Sequence, residues 1–123
     1  MYTIRAPDTL RVMFDEWTCY LEVRRYATNG NVSLVLFDVA DGTPIAKATV
    51  NTAVVLPDTH VAIKHYSENE GMVEALLAAD IIQGAPTARI PLAFDSVPVY
   101  MLGPVAYALV KQLAPFNDKG AVL

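Results

Sequence analysis

Few side chains in this sequence could carry out nucleophilic or acid–base chemistry. Histidine occurs twice, at His60 and His65, and cysteine once, at Cys19. In a strand, a separation of five residues places the two histidines on opposite faces, where they cannot share a metal ion. Cys19 falls on the apolar face of a predicted strand, where burial raises the pKa of a thiol and suppresses its reactivity. We therefore expect no catalytic residue and no metal site.

Cofactor binding is not predicted either. The six glycines are scattered and form neither a GxGxxG nor a GxxxxGK pattern, which a phosphate-binding loop would need. A small hydrolase that uses His60 or His65 remains an alternative. It predicts that one histidine lies in a cleft beside a carboxylate or a hydroxyl group.

Carboxylates are the one group of chemically active side chains that cluster. Glu68, Glu70 and Glu74 lie within seven residues of one another. Paired carboxylates can do acid–base work, although such clusters are more often a solvated helix face. Because they form the most acidic surface that the sequence indicates, we predict a partner-binding patch of Tyr66, Glu68, Glu70 and Glu74, with the aromatic ring as an anchor.

Composition and charge exclude several classes of protein. The 123 residues are 54% hydrophobic and 18% charged, which is typical of one folded domain, and the net charge is -4. That charge opposes nucleic-acid binding, and the only dense basic pair, Arg24 and Arg25, points to opposite faces of a predicted strand. A lone cysteine and the lack of a signal-like or membrane-spanning apolar stretch lead us to expect a cytoplasmic protein with no membrane contact.

The first half of the chain has the period-two alternation of an antiparallel meander. Trp17, Cys19, Leu21 and Val23 share one predicted face, while Thr18, Tyr20, Glu22, Arg24 and Tyr26 share the other. Asp15-Glu16, Asn29-Gly30 and Asp41-Gly42 are the predicted turns. The predicted strands of this half cover residues 10–14, 17–26, 32–39 and 43–52, with a short extended segment at 60–66.

A helix is predicted after Ser67. Ser67 and Glu70 match a capping box, and Met72, Val73, Leu76 and Leu77 form one apolar stripe that should dock on the sheet. Gly84 is placed to end this helix.

Two further strands are predicted at residues 88–94 and 97–102, with Pro91 and Pro98 at an edge or a bulge because proline cannot donate to a ladder. A second helix is expected from Pro104 to Pro115. The predicted fold is therefore α+β: an antiparallel meander sheet of five or six strands, one packed helix and a second, C-terminal helix. Residues 1–123 form one domain, with its core at about 9–114 and a loose tail at 115–123.

Three stretches together resemble a known family. They are residues 26–51, which end in DGTPIAKATVN, residues 63–71, which read IKHYSENEG, and residues 88–102. They are similar to small domains of unknown function encoded on bacterial plasmids, conjugative elements and phages. The resemblance implies a mobile-element setting, in which small acidic proteins often act as anti-CRISPR or antirestriction inhibitors by occupying a basic surface on their target.

These observations favour a non-catalytic protein-binding module that inhibits a host nucleic-acid-handling defence system, with a nuclease or CRISPR effector as the partner. The alternative is an accessory or structural protein of a phage or plasmid that self-assembles as a homo-oligomer through its edge strands.

Overall fold

A computed structural model describes residues 2–116 of the chain. Within that part, two antiparallel sheets and two short α-helices confirm the predicted α+β class, with one packed helix and one C-terminal helix. The first sheet contains β1 (Ile4–Arg5), β2 (Val12–Phe14), β3 (Trp17–Arg25), β4 (Val32–Asp38) and β5 (Pro44–Lys47). The second contains β6 (His60–Ala62), β7 (Ile82–Pro91) and β8 (Ser96–Leu102), and the helices are α1 (Met72–Ala78) and α2 (Pro104–Val110).

The alternating pattern of β3 produces the buried face that the sequence predicts. Cys19, Leu21 and Val23 are all fully buried. Leu21 pairs with Leu36 of β4, and Val23 pairs with Leu34. Side chains at every second position point to one face of a strand, so these two strands line the core together.

Both predicted glycine turns of the first sheet are present and share one backbone geometry. The Gly30 N–H donates to the carbonyl of Tyr26, and the Gly42 N–H donates to the carbonyl of Asp38, both at 2.8 Å. Gly30 and Gly42 have φ values of 79° and 77°, a region that side chains other than glycine disfavour. The Asn-Gly and Asp-Gly pairs therefore set the chain reversals on either side of β4.

A short seam joins the two sheets. The Ala48 N–H donates to the carbonyl of Leu34 in β4, and the Ala48 carbonyl accepts from Lys64, just after β6. Thr49 pairs with Ile63 across the same junction. Where the sequence predicted one sheet of five or six strands, the structure thus divides eight strands between two sheets. The chain turns from one sheet to the other after β5 because both must bury their apolar faces.

Both helices pack on the shared core. Met72 and Leu76 of α1 are fully buried, and Ala106, Leu109 and Val110 of α2 are also buried. They join one cluster with residues of β3, β4, β6 and β8. The predicted apolar stripe of the first helix therefore docks as expected, through Met72 and Leu76, while Val73 and Leu77 lie at its margin.

The first helix does not continue to Gly84. It ends at Ala78, and Asp80 adopts a positive φ of 59° that turns the chain into β7. Ile81 and Ile82 are almost fully buried, β7 starts at Ile82, and Gly84 lies within β7. Burial of these apolar side chains at the start of the second sheet's edge strand overrides the helical pattern, since tertiary packing outweighs a weak local preference.

Of the two prolines that the sequence analysis placed in strands, Pro91 and Pro98, only one lies where it was predicted. Pro91 ends the edge strand β7, whereas Pro98 lies in the central strand β8. The Pro98 carbonyl accepts from Ile63, one residue beyond the end of β6. The N–H and the carbonyl of one strand residue point to the same side. The N–H that Pro98 lacks would therefore point, like its carbonyl, to the side of β6, at the place where the ladder between β6 and β8 ends, so proline is tolerated there.

The end of the described chain is tied to the first sheet. The second helix begins at Pro104 as predicted but ends at Val110 rather than at residue 115. Arg25 donates through Nε to the Ala114 carbonyl at 2.9 Å and through both terminal nitrogens to Asp58. Of the predicted tail at 115–123, Pro115 and Phe116 are described, and residues 117–123 lie outside the described residues.

The contact of Phe116 with Gly30 allows a direct test of this packing. A Cβ atom on Gly30 would overlap Cβ and Cγ of Phe116, whereas a Cβ on Gly42 would come no nearer than 3.9 Å to another residue. We expect Gly42→Ala to lower the free energy of unfolding by about 1–2 kcal/mol through backbone strain alone. Gly30→Ala should cost at least about 1 kcal/mol more, because Phe116 must also move.

Urea unfolding of both variants measures this difference. Equal losses of stability in Gly30→Ala and Gly42→Ala would mean that Phe116 does not pack on the turn.

Candidate partner-binding surface

An acidic groove lies between the β2–β3 hairpin and the segment that leads into α1. We define this acidic groove by Asp15, Glu68, Glu70 and Glu74, whose carboxylates all line it, together with Met13 and the start of α1. Its volume is about 610 Å³. Among the described residues that line it there is no lysine, arginine or histidine, so the lining has four acidic side chains and no basic one.

The segment before α1 has a different backbone from the predicted capping box. Residues Ser67–Asn69 form a single 3₁₀ turn, and α1 begins only after Gly71, which has a φ of 90°. The Glu70 N–H donates to the backbone carbonyl of Ser67 at 3.2 Å. No side chain caps the 3₁₀ turn or the start of α1. The capping-box prediction is wrong because Ser67, with φ at 60°, is itself part of the turn.

Asn69 fixes this segment to the first sheet. Its side chain is fully buried, and its Nδ2 donates to the backbone carbonyl of Lys47, at the end of β5, at 2.6 Å. Glu68 and Glu70 flank this anchor and are both exposed. One buried amide therefore holds two carboxylates of the acidic groove in place.

Glu68 forms the only ion pair seen at the groove within residues 2–116. Lys64 donates through Nζ to Glu68 Oε2 at 2.5 Å. This bond, with further donation from the Glu68 backbone and from Ser67, lowers the pKa of Glu68 to about 2. The carboxylate is exposed, so solvent screens the pair and its contribution to stability is small.

The Lys64 bond predicts how Glu68 titrates. In a Lys64→Met variant the pKa of Glu68 should rise from about 2 towards its ordinary value of 4.5, because its main donor is lost. Since the folded pKa lies below the unfolded one, the small stabilisation from Glu68 is present above pH 4.5 and is lost as the pH falls towards 2. Carboxyl carbon shifts followed by NMR measure this pKa.

A Lys111→Met variant, altered just after α2, is the matched control and should leave the Glu68 titration unchanged. An unchanged pKa in Lys64→Met would show that the ion pair does not form in solution.

Asp15 is a groove residue that the sequence analysis did not identify as one. The sequence predicted Asp15-Glu16 as a hairpin turn, and the structure confirms this, with Phe14 paired to Trp17 across it. The turn reaches the glutamates because α1 packs against β2. No sequence signal links the two segments, since their proximity depends on tertiary packing alone.

Tyr66, the fourth predicted partner-binding residue, does not line the acidic groove. Its ring meets Phe94 edge to face, with ring centres 4.9 Å apart, and meets His65 in the same way at 5.7 Å. It packs against the apolar outer face of the second sheet. The structure thus brings three of the four predicted residues together and places Tyr66 in a neighbouring aromatic cluster.

The two histidines have separate partners. His65 Nε2 lies 3.0 Å from the backbone carbonyl of Ser96, and His60 Nδ1 lies 2.7 Å from the hydroxyl of the adjacent Thr59. Neither is among the described residues that line the acidic groove. The hydrolase alternative stays a prediction, which rests on His60 and the neighbouring hydroxyl of Thr59.

Cys19 is fully buried in the first sheet, as the sequence indicated. Burial raises the pKa of its thiol to about 11, and the nearby Asp38 carboxylate adds to the shift. We expect the thiol to react with Ellman's reagent at pH 8 far more slowly in the folded protein than in guanidinium, because the native thiol is neutral and shielded. A Cys19→Ala variant should show no reaction, and rapid labelling of the native protein would contradict the burial of Cys19.

Three further observations concern metal binding, membrane spanning and similarity to known proteins. No group of three or more histidine, cysteine, aspartate or glutamate side chains within residues 2–116 could hold a metal ion. No helix in the same part of the chain is long and apolar enough to cross a membrane. Comparison with protein-family models, with curated proteins and with solved structures found no match.

Proposed function

We propose that this chain is a non-catalytic protein-binding module of a mobile genetic element, which acts in the cytoplasm and inhibits a host nucleic-acid-handling defence system. Its partner would be a nuclease or CRISPR effector, and its contact surface would be the acidic groove with Tyr66 beside it. The observation that carries the proposal is the convergence of Asp15, Glu68, Glu70 and Glu74 on one groove.

Electrostatic complementarity supports a basic protein surface as the target. Nucleic-acid-handling enzymes present lysine and arginine to phosphates, and a cluster of fixed carboxylates can occupy such a surface. Opposite charge steers encounter and selects the partner, while uncharged neighbours such as Met13, which is 64% exposed, add apolar contact. The net charge of -4 acts in the same direction.

The resemblance to small domains of plasmids, conjugative elements and phages supports the mobile-element part of the proposal. It rests on the DGTPIAKATVN and IKHYSENEG stretches, and the second of these contains Glu68 and Glu70. The link from that setting to an anti-CRISPR or antirestriction role is an analogy of setting and charge.

The edge strands disfavour the self-assembly alternative. The longest, β7, has a register shift against β8 between Gln83 and Ala88, and Pro86 lies inside the shifted stretch. On the outer edge of the first sheet, β5 has four residues and begins with Pro44. Bulges, prolines and short length are the features by which edge strands avoid pairing with another chain.

Charge reversal at the groove tests the proposal. The wild-type protein, expressed in bacteria that carry an active CRISPR or restriction system, should raise the plating efficiency of a targeted phage. The variant Glu70→Lys/Glu74→Lys should lose at least about tenfold of this effect, because each reversal replaces an attraction to the basic target by a repulsion. The tagged wild-type protein should also capture the defence nuclease, and high salt should abolish this capture. The variant Glu70→Lys/Glu74→Lys should capture less nuclease than the wild type.

The matched control is Asp8→Lys/Asp95→Lys, which changes the net charge by the same amount on exposed residues outside the groove. It should behave as wild type. Equal loss in both double variants would show that net charge, not the groove, matters. A monomer in sedimentation with no effect on any defence system would argue against both the inhibitor and the self-assembly functions.

A further inference from the structure

A second groove of opposite charge lies on the outer face of the first sheet. We call it the cationic groove and define it by Arg24, Lys47 and Lys64, whose side chains line it above Phe37, Pro44 and Ile45. Its volume is about 430 Å³, within the range of small-molecule sites. Glu68 lines its rim as well and so separates it from the acidic groove.

The aromatic floor of this face is covered by arginine rather than by another element of the fold. Tyr20 and Phe37 are cross-strand partners whose rings stack at 5.3 Å with 13° between their planes. The Arg5 guanidinium lies 3.8 Å from the centre of the Tyr20 ring, and that of Arg24 lies 5.5 Å from the Phe37 ring. Both rings are less than 10% exposed although they are on the outer face, because these long cationic side chains lie across them.

Two of the three cations of the groove are therefore held in position before any ligand arrives. Arg24 is fixed by Phe37 and by donation from Nε and one terminal nitrogen to Glu22, at 3.2 and 2.6 Å. Lys64 is fixed by Glu68 at 2.5 Å and lies 5.5 Å from the centre of the Tyr66 ring. A ligand that meets such side chains loses little of their rotamer entropy on binding.

The charge of the groove selects an anion. Lys47 is exposed and has no ion-pair partner among residues 2–116. Arg24 and Lys64 each bond one carboxylate and keep further N–H donors, since a guanidinium has five and an ammonium three. Pro44 and Ile45 add an apolar wall beside these donors.

We infer that the cationic groove binds a small organic anion, in which a carboxylate or phosphate is attached to a compact apolar body. The anionic group meets Lys47 and the spare donors of Arg24 and Lys64, and the apolar body lies against Pro44 and Ile45. This inference goes beyond the proposed inhibitor function: it uses side chains of the opposite charge, although Glu68 lines both grooves.

An NMR titration of the full-length, ¹⁵N-labelled protein at low salt tests the inference. The probes are naphthoate for the carboxylate and naphthyl phosphate for the phosphate, with the neutral naphthalenemethanol as the control ligand. At least one anion at millimolar concentration should shift the amide signals of Ile45, Ala46 and Lys47. The neutral analogue should bind at least about tenfold more weakly than naphthoate.

Variants of single lysines complete the test. Lys47→Glu should weaken binding of the anion by about tenfold or more, because it places a negative charge where the anionic group binds. Lys111→Glu, an equal change of charge just after α2, should leave binding unchanged, and unshifted core signals in both variants show that the fold is retained.

Tighter binding of naphthyl phosphate or of naphthoate identifies the phosphate or the carboxylate as the preferred group, and either supports the site. Three results would overturn it: no shift with either anion, equal affinity for the neutral analogue, or equal affinity in Lys47→Glu. None of these results bears on whether the acidic groove binds a defence protein, so the two hypotheses fail separately.

Discussion

The buried amide of Asn31 fixes the segment by which the chain crosses from the first sheet to the second. Its Nδ2 donates to the Val54 carbonyl at 2.8 Å and to Asn51 at 3.3 Å, while its Oδ1 accepts from the Leu56 N–H at 2.9 Å. The segment that it holds leads from the first sheet to the second, and Leu56 packs on the outer face of the second sheet. A buried amide left without these partners would cost about 1–3 kcal/mol, so the crossing has one strongly favoured path.

Several polar side chains of residues 26–51 have structural roles at the same junction. The Tyr26 hydroxyl bonds the Thr49 hydroxyl at 2.8 Å, and Asn29 donates to the Thr52 carbonyl at 2.9 Å. With Asn31 and Asn51, these residues join the turn after β3 to the segment after β5. Their side chains are accounted for by hydrogen bonds within the fold. This part of the chain therefore serves the architecture, whereas residues 63–71 contribute Glu68 and Glu70 to the acidic groove.

Glu68 stands where two surfaces of opposite charge meet. It contributes a carboxylate to the acidic groove and closes one side of the cationic groove through Lys64. Asn69, next in the chain, is fully buried and fixes both sides of this boundary to β5. Because one short segment positions both grooves, a change that moves it would alter both surfaces at once.

The sequence by itself determined the elements with strong local physics. The alternation of β3, the turns at Gly30 and Gly42, the apolar stripe of α1 and the helix start at Pro104 are all present, because each depends on neighbours a few residues apart. The clustering of Glu68, Glu70 and Glu74 was also visible, since they lie on adjacent turns of chain.

Only the tertiary structure decided how these elements combine. It divided the strands between two sheets, ended α1 at Ala78, placed Pro98 in a central strand and brought Asp15 to the glutamates. It also separated Tyr66 from the acidic groove and gathered Arg24, Lys47 and Lys64 on one face. Each of these outcomes depends on residues distant in sequence that share one buried surface, and local spacing carries no information about which distant surfaces meet.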